Sequence, residues 1–91
     1  MKLETTTQEL DFGGILQIDV LHDNLATVCE VSVWHNLKRH TVLKTVYNGI
    51  VGVSFEGEDV KWCGGQLFWN NHPLPIYERE DGTITFKTKE V

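Results

Sequence analysis

Hydrophobic and polar residues alternate with a period of two along most of this chain, and residues that favour chain reversal separate the alternating runs. That period is the mark of β-strands with one covered face. The clearest unit spans Ile15–Leu21 and Ala26–Trp34, which flank His22-Asp23-Asn24-Leu25. Asp23-Asn24 tolerates the positive φ angles of a two-residue hairpin turn. That turn pairs Val20 with Thr27, Ile18 with Cys29 and Leu16 with Val31 on one face, and Gln17 with Glu30 and Asp19 with Val28 on the other. A slip of one residue would mix apolar and polar sets, so the pattern resists it.

After His35 a polar link leads to Thr41–Tyr47. An odd loop such as Leu37-Lys38-Arg39 pairs Val33 with Leu43 and Ser32 with Lys44. An even loop would put Lys44 beside Val31 on the core face and bury an ammonium, so the odd loop is expected. A short helix over 36–46, capped by Asn36, competes with this strand. Thr41, Val42, Thr45 and Val46 are β-branched and favour the strand. Asn48-Gly49 is a strong hairpin signal joining Thr41–Tyr47 to Ile50–Phe55. It puts Val51, Val53 and Phe55 on the face of Trp34, Val42 and Val46, opposite Leu16, Ile18 and Val31. The strand pair is then apolar on both sides, and either the sheet folds over itself or Gly52 is a bulge.

Val60–Cys63 and Gln66–Trp69 flank Gly64-Gly65, a register that aligns Val60 with Trp69 and Trp62 with Leu67. Asn70-Asn71-His72-Pro73 reads as a turn, and Leu74–Arg79 and Thr83–Lys89 as a hairpin around Asp81-Gly82. Residues 1–8, polar and rich in threonine, read as a loose arm or an edge strand. The expectation is a single all-β domain over 1–91, a small antiparallel barrel or two-layer sandwich of about seven or eight short strands. The alternative is α+β with the one short helix near 36–46.

Composition narrows the class. Hydrophobic residues at 41% and charged residues at 23% make an ordinary globular balance. No apolar run approaches a membrane span, and Met1-Lys2-Leu3-Glu4 is followed by no apolar leader, so a cytoplasmic location is expected. The two cysteines, Cys29 and Cys63, form no disulfide framework. A net charge of −5 argues against direct nucleic-acid binding. The charge is uneven: residues 31–55 hold Lys38, Arg39 and Lys44 and no acid, whereas seven acids lie in 56–91.

Candidate chemistry is sparse. His22, His35, His40, His72 and the two cysteines match no zinc spacing, so no metal is expected. Cys63 precedes Gly64-Gly65 with His72 a strand away, but matches no thiol-enzyme signature. Gly13-Gly14 and Gly64-Gly65 lack the lysine and helix of a phosphate cradle. No cofactor and no catalytic residue are expected. An acidic domain of this kind is expected to bind a protein partner that carries a basic, nucleic-acid-binding surface. Glu56, Glu58, Asp59, Glu78, Glu80 and Asp81 would imitate phosphates, and Phe68 would supply a desolvated centre. Small inhibitors or accessory proteins of phages and mobile elements have this profile. The rival expectations are a small-ligand or sugar-binding barrel using Trp34, Trp69 and Asn70, a self-associating structural subunit and, as a minor third, a thiol or metal enzyme. Either a monomer or a homodimer fits.

Overall fold

The computed structural model describes residues 2–48, 51–80 and 84–86. Among them the chain is all-β, with nine antiparallel strands in two sheets and no helix. Among the described residues no helix is long and apolar enough to cross a membrane. The chain divides into two compact units, Met1–Glu58 and Asp59–Val91.

The first unit is a five-stranded meander: β1 (Lys2–Glu9), β2 (Ile15–His22), β3 (Thr27–His35), β4 (Lys38–Asn48) and β5 (Val51–Glu56), side by side in chain order. Residues 2–9 form the edge strand rather than a loose arm. The β2–β3 hairpin keeps the expected faces but not the expected partners. Its loop holds four residues, closed by the Asp23 amide donating to the Ala26 carbonyl at 2.9 Å. His22 therefore faces Thr27, Ile18 faces Val31 and Leu16 faces Val33. A shift of two preserves every side chain's face, which is why hydrophobic alternation alone does not detect it.

The β3–β4 connection overturns the odd loop. Asn36-Leu37 is a two-residue turn with both φ angles positive (53° and 63°), and His35 faces Lys38. The reason for rejecting an even loop still holds, but a bulge answers it instead. Ser32 faces Thr41 and Val31 faces Leu43, so Val42 is an extra residue on β4. The bulge switches the faces of the rest of β4. Leu43 joins Val31 on the covered side, Lys44 goes to the other, and Val42 and Leu43 are both buried although adjacent. The helix over 36–46 is absent; these residues are β-strand and turn.

Gly52 is not the bulge. It stands opposite Tyr47, whose ring lies so close that a Cβ at 52 would meet it at 2.6 Å. Asn48 faces Val51 and Val46 faces Val53. Gly49 of the anticipated Asn48-Gly49 turn lies outside the described residues, as does Ile50. The covered side of this sheet holds Leu16, Val31, Val33 and Leu43, each less than 3% exposed. Burial of such side chains stabilises by roughly 1.5–3 kcal/mol apiece.

The second unit is a four-stranded meander of β6 (Val60–Cys63), β7 (Gln66–Trp69), β8 (His72–Glu78) and β9 (Ile84–Phe86). The Gly64-Gly65 register is as anticipated: Val60 faces Trp69 and Trp62 faces Leu67. Both glycines have positive φ (59° and 78°), which a two-residue turn that fits sheet twist requires. The next turn is Asn70-Asn71 alone, again with positive φ, so His72 and Pro73 belong to β8 rather than to a turn. Pro73 faces Phe68 but Tyr77 faces Gln66, which leaves an irregular segment of β8 opposite Leu67. The Gln66 side-chain amide donates to the Leu74 carbonyl in that segment at 3.0 Å. This supplies a partner that the ladder does not. Leu67, Trp69, Leu74 and Ile76 are the buried residues of this unit. Asp81, Gly82 and Thr83, and residues 87–91 of the last hairpin, lie outside the described residues.

Candidate functional site

The uncovered face of the five-stranded sheet holds the most organised set of side chains. Because opposite residues on neighbouring strands point the same way, this face can be read as cross-strand rows. One row is apolar across all five strands: Leu3, Leu21, Val28, Val46 and Val53 stand opposite one another in turn. Leu3 and Val53, at the two ends, are 63% and 49% exposed, and the three between them are partly exposed. The next row is Thr5, Asp19, Glu30, Lys44 and Phe55, and Phe55 is 57% exposed. Beyond it lie Thr7, Gln17, Ser32 and Thr41, and then Ile15, Trp34 and Arg39.

A hydrogen-bonded network fixes the polar rows. Arg39 Nε donates to Ser32 Oγ at 3.0 Å, and its Nη2 reaches Asp19 at 3.0 Å and Glu30 at 3.4 Å. Thr5 Oγ1 and Gln17 Nε2 also donate to Asp19, at 2.8 and 2.9 Å. The Trp34 indole N–H donates to the Gln17 side-chain oxygen at 2.8 Å, and the Arg39 guanidinium lies 5.9 Å from the centre of the Trp34 ring. Burial pushes the Asp19 carboxyl up, but the hydrogen bonds from Thr5 and Gln17 and the charge of Arg39 outweigh it. The net result lies below the ordinary aspartate value. Asp19 is thus held as a carboxylate acceptor. These groups pair with one another, so the network braces the face and positions Trp34 rather than offering a free acid or base.

An open groove runs beside Trp34, lined by Ile15, Gln17, His35 and Leu37 among others. Leu37, at the turn tip, is fully exposed and has a positive φ, a conformation that disfavours a branched bulky side chain. The Phe12 and His35 rings meet edge to face at 5.6 Å.

The anticipated site residues fall in both units. Glu56 ends β5 and Glu58 follows it in the first unit, both exposed. Asp59, Phe68, Glu78 and Glu80 belong to the second. There the Asp59 carbonyl accepts from Asn70 at 2.8 Å, whereas the Glu78 amide donates to Gly65. Asp59 and Glu78 therefore sit at opposite ends of the β6–β7 hairpin. Phe68 is half-buried, and Asp81 lies outside the described residues. Trp69 is 5% exposed, while Trp34 is partly open. Burial pushes the Cys29 thiol up, and the charge of Asp19 adds to it. Cys63 is exposed. Among the described residues no three His, Cys, Asp or Glu side chains gather as metal ligands.

No protein-family model, curated protein or solved structure matches the chain. The apolar row is not visible in the expected registers, whose β2–β3 partners are two residues out and which leave residues 1–8 without a strand partner. A signal was present: Leu3, Leu21, Val28, Val46 and Val53 are each an apolar residue on the strand face opposite the main core set.

Proposed function

We propose that this chain is a non-catalytic protein-binding module, a small acidic inhibitor or accessory protein, and that it engages its partner through the uncovered face of the five-stranded sheet. The observation that carries this reading is the apolar row from Leu3 to Val53, ending beside Phe55. An apolar strip rimmed by ordered polar groups resembles the desolvated centre and polar rim of a protein interface. Phe55, rather than the half-buried Phe68, supplies the exposed aromatic. The net charge of −5 favours a partner with a basic surface, such as one that binds nucleic acid, and Glu56 and Glu58 lie beside Phe55 in the chain to meet it.

The test compares the native chain with a Leu3→Ser, Leu21→Ser double variant as bait for host proteins, at low and moderate salt. The variant removes one end of the strip without altering charge, and circular dichroism verifies its fold. A basic partner retained at low salt, weakened by salt and lost with the variant supports the reading. Recovery of no partner at either salt, or equal recovery by the variant, overturns it.

A further inference from the structure

We propose that β5 pairs with β5 of a second copy, antiparallel about a two-fold axis through Ser54, so that two five-stranded sheets become one of ten strands. This inference does not rest on the preceding reading, since it uses the sheet's edge and leaves the face open.

The two edges of the sheet differ in kind. Strand β1 reads Lys-Leu-Glu-Thr-Thr-Thr-Gln-Glu, and its Lys2 and Glu4 form an exposed ion pair at 3.1 Å. Charged edges of this sort discourage pairing with another chain. Strand β5 reads Val-Gly-Val-Ser-Phe-Glu and has a neighbour, β4, on one side only. Gly52, Val53, Ser54, Phe55 and Glu56 are all exposed. An edge strand offers unpaired N–H and C=O groups, and this one has no charge until its last residue.

Strand geometry restricts how two such edges can meet. A two-fold axis perpendicular to the sheet keeps each face with its like, so the axis must pass through a residue, not between two. Centring on Ser54 uses the described run 52–56 in full. Val53 then faces Phe55 of the copy, twice, and both residues lie on the uncovered face. Glu56 faces Gly52 of the copy, so no like charges are opposed, whereas centring on Glu56 would oppose two carboxylates. The apolar row of each sheet, which ends at Val53, thereby gains Phe55 of the copy as one further apolar member. Five residues per edge make a small interface, so the dimer is expected to dissociate at about micromolar concentration.

The test is mass by light scattering and sedimentation over a range of concentration and salt. Each copy carries a net charge of −5, so pairing should strengthen with salt, opposite to the proposed basic partner. The expected species is twice the 10.4 kDa chain mass. Phe55→Lys should raise the dissociation constant at least tenfold. Adding Val53→Glu should restore it, because in this register the new carboxylate faces the new ammonium of the copy. A monomer at every concentration and salt overturns the proposal. So does a dimer insensitive to Phe55→Lys, or one that Val53→Glu weakens further, as a register centred on Val53 would require.

Discussion

The amide of Gly57 donates to the carbonyl of Val42 at 3.0 Å, and the backbone of Thr41 leaves no room for a side chain at 57. The segment after β5 is thereby fastened to the bulge that turns β4 over. Gly57→Ala would drive a methyl group into the Thr41 carbonyl, which is backbone and cannot rotate away. A loss of about 2–3 kcal/mol is expected from such overpacking. Gly52→Ala should cost less, because the Tyr47 ring that it meets is a side chain able to move. Urea unfolding of the two variants checks the order; equal midpoints would refute it.

Leu37 holds a left-handed conformation that costs a non-glycine residue roughly 1–2 kcal/mol. Glycine removes that strain and returns part of the gain as unfolded-state entropy, about 0.5–1 kcal/mol. Leu37→Gly should therefore stabilise by about 0.5 kcal/mol and raise Tm by roughly 2–4 °C. A fall in Tm by scanning calorimetry would show that the leucine contributes to folding.

Asp19 supplies a pH dependence of known sign. Its folded pKa lies below the ordinary value, so the unfolded chain binds the proton more tightly. The stabilisation is fully present above the unfolded value, ~3.9, and is lost as pH falls through the lower folded one. Asp19→Asn should cost about 0.5–1 kcal/mol at pH 7, because the charged hydrogen bonds that it weakens lie at a partly exposed surface. The gap between native and variant should narrow steadily from pH 5 to pH 2. A constant gap in denaturant midpoints across that range would show that the Asp19 charge is not the source.

The two thiols should separate kinetically. Cys63 is exposed on β6, whereas burial raises the pKa of Cys29, which lowers its thiolate fraction. Iodoacetamide at pH 8 should label Cys63 faster than Cys29 in the native protein, and denaturant should remove the difference, as read by peptide mass. Labelling of both at one rate would contradict the covered position of Cys29.

Much of the fold is legible in local pattern. Period-two alternation places Leu16, Ile18 and Val31 on one side of the first sheet, and Gly64-Gly65 specifies the β6–β7 register, because adjacent glycines admit the two positive φ angles that a tight turn needs. The candidate site is less legible. The Asp19–Arg39 pair joins residues 20 apart in sequence, and the apolar row depends on five strands agreeing in register.

Side-chain alternation and turn chemistry, both written in neighbouring residues, determine that the described residues form β-strands and turns and which way most side chains point. Tertiary packing alone decides where pairing slips by two, where Val42 is extruded, and hence which residues meet across strands. The reason is that a shift of two leaves every face unchanged, and a bulge is chosen only when Lys44 must leave a core that distant strands have built.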